Sequence, residues 1–184
     1  MAPGSFIPGV TPTFFCRPNQ APLPSRGLEI TWRAGLDLHP IDTRDPEQVA
    51  WLEALVWPDE GNRLDLLHAA LEVARLDPPR VVRGDLRTDF CALVAEMPKD
   101  ATRVVFHTAV LGYLSSADER SAFARIIEEL EIVWVSNEPP ALLPDVAQGL
   151  SKPWPLGQFL LSMNRRPIAW TDPHGTSLDW IANV

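Results

Sequence analysis

The sequence predicts an α/β fold: a mostly parallel sheet with helices on both faces, closed by a C-terminal antiparallel β-hairpin. Three observations point there. Short, nearly unbroken apolar runs recur along the chain, as they do in strands covered on both faces. Amphipathic segments with capping signals separate these runs. Near the C-terminus, two apolar runs, "QFLLSM" and "PIAWTD", flank Asn164-Arg165-Arg166, the pattern of a hairpin.

In order, residues 1–27 form a proline-rich N-terminal segment with six prolines, too many for one regular element, and "TFFC" at Thr13–Cys16 is expected as an edge strand. "LEITWRAGLDL" at Leu28–Leu38 reads as a strand. Asp45-Pro46-Glu47-Gln48 opens a helix: Asp45 caps, Pro46 suits the first helical position and Gln48 sits where a capping box places Glu or Gln. Val49, Leu52, Leu55 and Val56 share its apolar face, Trp51 and Trp57 are expected to pack, and Pro58 stops it. Leu64, Leu67, Leu71 and Ala74 mark a second helix, ended by Asp77-Pro78-Pro79. "RVVRGD" at Arg80–Asp85 is the next strand, and a helix follows around Phe90, Leu93 and Val94. "TRVVFHT" at Thr102–Thr108 is a third strand. Ser116-Ala117-Asp118-Glu119 is a capping box opening a helix whose inner face carries Phe123, Ile126, Ile127 and Leu130. "EIVWVS" at Glu131–Ser136 is the fourth strand, and a proline-rich loop leads to the hairpin.

A chain of 184 residues with 46% hydrophobic content can bury one sizeable core, so residues 28–184 are expected to form a single domain. The net charge is −8 and no Lys/Arg run occurs, which argues against nucleic acid or a membrane surface as partner. No apolar run approaches the ~18 residues of a membrane span. "APGSFIPGV" after Met1 lacks the basic and apolar regions of a secretory signal, so a cytoplasmic setting with reduced Cys16 and Cys91 is expected. The cysteines show no metal-ligand spacing, and no metal is expected.

Ligands of open α/β sheets sit at the carboxyl ends of the strands. Each parallel strand delivers a polar group there: Asp37 followed by His39; Gly84-Asp85; His107 and Thr108, with Tyr113 a few residues on; and Ser136, Asn137 and Glu138. Any one of these residues reads most simply as a cap or turn former, but the four together outline a candidate crevice.

"GLDLHP" resembles the second-strand motif of Rossmann-like S-adenosylmethionine-dependent methyltransferases, "VVRGDL" their third-strand motif, and "RVVFHTAVLGYL" with its capped helix their fourth strand and helix. The hairpin resembles their antiparallel sixth and seventh strands. From about Cys16 onward the chain also resembles the uncharacterised bacterial domain-of-unknown-function 2332 family, which shares "WRAGLDLHPID", "WLEALVWP", "DPPRVVRGD", "VVFHTAVLGYL" and "SNE". The methyltransferase resemblance implies S-adenosylmethionine as cofactor. Asp37 would accept from the ribose hydroxyls, Asp85 would hold the adenine amino group and Leu86 would pack on the ring. In the same resemblance His107 would lie where the fourth strand faces the methyl donor and the substrate, and the strand-end residues Tyr113, Asn137 and Glu138 complete the expected catalytic positions. The chain departs from that pattern in one large respect. None of its ten glycines is paired as GxG, and no first strand with a glycine-rich turn precedes "GLDLHP". The first strand and glycine loop are therefore expected to be missing, as in the C-terminal part of a longer protein.

Two other readings stand beside this one. A domain short of a central strand exposes unpaired edges and is expected to self-associate or to take a partner that completes the sheet. A metal-dependent hydrolytic site would draw on His39, His107 and His174 with Asp37, Asp85 and Glu138, though no HExxH-like spacing joins them.

Overall fold

The structure, a computed structural model, describes residues 12–57 and 61–182. In chain order its elements are β1 (Arg17–Asn19), β2 (Gly35–Asp37), α1 (Pro46–Ala54), α2 (Gly61–Leu76), β3 (Val81–Arg83), α3 (Phe90–Ala95), β4 (Val104–Thr108), α4 (Ala117–Glu128), β5 (Val133–Glu138), α5 (Pro144–Ala147), β6 (Phe159–Met163), β7 (Arg166–Thr171) and β8 (Ser177–Trp180). Short 3-10 helices lie at Leu111–Tyr113 and Pro140–Leu142. The chain divides into two compact units. Among the described residues, Leu28–Met97 together with residues 12–14 make the first; Phe15–Gly27 and residues 98–182 make the second.

In the first unit β2 and β3 form a two-stranded parallel sheet, with Gly35 opposite Val81 and Asp37 opposite Arg83. Val49, Leu71, Phe90 and Val94, one or more from each of α1, α2 and α3, are its buried apolar residues. Asp45 caps α1 as expected, accepting from the N–H groups of Glu47 and Gln48. The Gln48 side chain donates to Asp45 and accepts from the backbone N–H of Asp42, so it ties down the approach to the helix instead of closing the box on Asp45. Trp51 and Trp57 do not pack: they are largely exposed. Pro58, the expected stop of α1, lies outside the described residues.

The second unit is built on a six-stranded sheet in the order β1-β8-β7-β6-β5-β4. Two of its pairings, β1 with β8 and β4 with β5, are parallel, and the other three are antiparallel. The sheet is therefore mixed, not mostly parallel as expected. The difference arises after β5, where the chain returns as a meander of three antiparallel strands. The expected hairpin is β6–β7; β8 extends it. Its two-residue turn places Asn164 and Arg165 at φ 48° and 61°, the paired positive values of a type I′ turn. The edge strand expected at Thr13–Cys16 forms instead at Arg17–Asn19, beside β8.

One face of β4 and β5 is covered by α4, whose buried Phe123, Ala124 and Ile127 supply the apolar stripe. Ser116 and Glu119 close the expected capping box at its start. The other face of β4 is open: Val104 and Phe106 are 43% and 75% exposed. Helices on both faces are thus not realised at this strand. No helix is long and apolar enough to cross a membrane among the described residues.

Candidate functional site

The four strand ends divide between the two units. In the first, β2 and β3 run parallel and end side by side, so Asp37 and the segment Gly84-Asp85-Leu86 lie together at one end. The Gly84 N–H donates to the Asp37 carbonyl at 2.9 Å. A side chain at position 84 would meet Leu36 Cδ1 at 2.7 Å and Asp89 Cβ at 2.9 Å, so only glycine lets the two strand ends close in this way. Asp37 is exposed, and its Oδ1 accepts from the His39 N–H at 2.8 Å, an Asx turn that orients the carboxylate.

Asp85 is engaged differently. Its Oδ1 accepts from the backbone N–H and Nε of Arg87 at 2.8 and 2.9 Å, and its Oδ2 accepts from Arg87 Nη2 at 2.6 Å. These bonds, led by the Arg87 side chain, hold the carboxyl at a pKa of about 2, well below its ordinary 3.8. Leu86 is half-buried.

In the second unit the alternation of β5 puts Trp134, Ser136 and Glu138 on one face, all buried. His107 of β4 lies opposite Ser136 on that same face. Its Nδ1–H donates to Glu138 Oε1 at 2.7 Å, and its Nε2 accepts from Trp134 Nε1–H at 3.0 Å. An indole N–H only donates, which assigns the ring hydrogen of His107 to Nδ1. Glu138 Oε1 accepts two further bonds, from the Val110 and Leu111 N–H groups at 2.8 and 3.2 Å. Those groups converge because Ala109, at φ 54°, turns the chain sharply after β4, and successive N–H groups around such a turn form an anion cradle. Glu138 Oε2 is buried without a partner among the described residues. Phe123 closes the cluster, its ring centroid 6.1 Å from that of His107 and 6.2 Å from that of Trp134.

The structure thus brings His107 and Glu138 together and separates the other two expected catalytic residues from them. Asn137 points to the opposite face of β5, where Nδ2 donates to Thr108 Oγ1 at 3.2 Å and Oδ1 accepts from Thr171 Oγ1 at 2.7 Å. Tyr113 is 85% exposed on its 3-10 turn. Trp134 was missing from the expected site. The signal for it was present in "VWVSNE", where a period of two aligns Trp134 with Glu138. Among the described residues, no group of three or more His, Cys, Asp or Glu side chains is arranged to hold a metal. His174 contributes its backbone N–H to a turn on Asp172.

Comparison with curated proteins and with solved structures returned no match. The description "Uncharacterized protein conserved in bacteria (DUF2332)" matches residues 10–180, nearly the whole chain, and the protein belongs to this family.

Proposed function

We propose that the chain carries a methyltransferase-like, Rossmann-type domain that binds S-adenosylmethionine, or a nucleoside-bearing molecule close to it, at the carboxyl ends of β2 and β3. Asp37 carries this reading. It stands exposed at the end of a parallel strand, its Oδ1 oriented by the His39 N–H, and no described residue bonds its Oδ2. A carboxylate free in this way fits two neighbouring hydroxyl donors of a ribose. Leu86 offers apolar surface for a base. Asp85 fits less simply, because Arg87 already occupies both of its oxygens, so it takes an amino group only by sharing them.

S-adenosylmethionine, when bound, supplies an activated methyl group. His107 is not placed to act as a free base, since both ring nitrogens are taken within the chain. The proposal is therefore one of binding. Calorimetric titration of S-adenosylmethionine into the folded protein tests it: saturable heat is expected, and a flat titration contradicts it.

A second reading, association between copies, is favoured by β4. Arg103 O accepts from the Val133 N–H and the Ala109 N–H donates to Asn137 O, a phase that turns the odd-numbered residues of this stretch towards β5. The backbone groups of Val104, Phe106 and Thr108 therefore point outward, and no described strand pairs with them. An open edge of this kind can pair with its own copy about a two-fold axis. Light scattering with size exclusion tests it: a dimer lost in Phe106→Lys supports the reading, and a concentration-independent monomer contradicts it.

A further inference from the structure

The second unit holds a pocket that none of the residues discussed so far was expected to form. About 230 Å³ in volume, it lies between the start of α4, the segment Ala141–Val146 and the hairpin turn. Leu111, Trp134, Leu143 and Val146 give it apolar walls, and each is at most 7% exposed, so the walls are set by the core itself. Two arginines reach it, and their situations differ. Arg165 is split between Glu128 and Asp145, at 3.0 Å from each. Arg120, half-buried, donates from Nη1 to the Leu114 carbonyl at 2.9 Å and pairs with no carboxylate among the described residues. Asp145, the acidic residue lining the pocket, is engaged by Arg165, so Arg120 faces a largely apolar cavity without a carboxylate of its own, an arrangement that favours an incoming anion.

We propose that this pocket binds a small organic monocarboxylate, its carboxylate against the Arg120 guanidinium and its compact apolar body against Leu111, Trp134, Leu143 and Val146. The guanidinium presents donors in a planar fork that matches a carboxylate. The volume sets the size: pockets for drug-sized ligands run from roughly 300 to 1,000 Å³, so the occupant is smaller, of the order of a single ring or a branched short chain. The pocket belongs to the second unit and the ends of β2 and β3 to the first, and neither proposal depends on the other. Two of its walls belong to the buried cluster, since the Trp134 indole bonds His107 and the Leu111 N–H bonds Glu138. A ligand seated here would therefore be felt at His107.

Benzoate and its neutral isostere benzamide are suitable probes, titrated into ¹⁵N-labelled protein and followed by amide shifts. Saturable benzoate binding is expected, with shifts centred on Leu111, Arg120 and Val146. Benzamide should bind at least about tenfold more weakly, the loss of a charge-assisted pair. Arg120→Gln should lose a similar factor, and Arg120→Lys should recover part of it. Absence of saturable binding by either probe overturns the proposal, as does equal binding of the two, or shifts confined to other parts of the chain. The comparison of the two probes on the unaltered protein holds even if the Arg120 variants fold poorly.

Discussion

His107 and Glu138 are joined across β4 and β5 by a 2.7 Å bond from Nδ1–H to Oε1, buried beneath Phe123 and sealed at Nε2 by the Trp134 indole. A histidine and an acid side by side usually suggest proton transfer. Here the acid also collects two backbone N–H groups and the second ring nitrogen is occupied, so the pair works first as a strut between the end of β4 and the end of β5.

Glu138→Ala should be strongly destabilising. It leaves the His107, Val110 and Leu111 donors without their acceptor in a buried setting, and each such group costs about 1–3 kcal/mol when unsatisfied. A loss on the order of 3 kcal/mol or more in urea denaturation is expected; a loss below about 1 kcal/mol would mean the cluster bears little stability.

The ring hydrogen of His107 should be found on Nδ1. Long-range ¹H–¹⁵N spectra of the imidazole near neutral pH report the tautomer directly. A hydrogen on Nε2 would be incompatible with the Trp134 bond.

Ala109→Gly should stabilise the second unit by up to about 1 kcal/mol. An L-residue held in the left-handed region costs roughly 1–2 kcal/mol, and glycine removes that cost while losing part of the gain to unfolded-chain entropy. Thermal unfolding checks this; a clear drop in Tm would show that the turn is not strained.

Arg87→Ala should raise the titration midpoint of Asp85 from about 2 towards the ordinary 3.8. The folded-state pKa is depressed, so the carboxylate's contribution to stability is present above about pH 4 and is lost as the pH falls towards 2. Carboxyl ¹³C shifts followed against pH in both proteins give the two midpoints. Coincident midpoints would show that Arg87 does not hold Asp85.

Local signals in the sequence were strong enough to place most elements. Ser116 and Glu119, Asp45 and Pro46, and the Asn164-Arg165 turn each encode a short-range geometry that a few residues settle among themselves. The partners of the strands were not legible in the same way. The pairing of Arg17 with Ser177 joins residues 160 positions apart, and nothing in either tripeptide announces the other. The same limit hid the mixed character of the sheet, because an apolar run looks alike whether its neighbour is parallel or antiparallel. At the site, His107 and Glu138 follow from their place at the ends of neighbouring strands, and the register of β4 and β5 brings them together. Asn137 and Tyr113 share that position along the chain, but strand alternation and a 3-10 turn carry them elsewhere. Trp134 is not marked out by its type, because an aromatic residue in a strand reads as core until its N–H is given a partner.

The proposal that Asp37 holds a nucleoside is tested most directly by amide spectra of the ¹⁵N-labelled protein titrated with S-adenosylmethionine. Saturable shifts clustered at Asp37–His39 and Gly84–Leu86, lost in Asp37→Asn, are the predicted result. Shifts that leave those two segments untouched, or none at all in a well-folded sample, would contradict it.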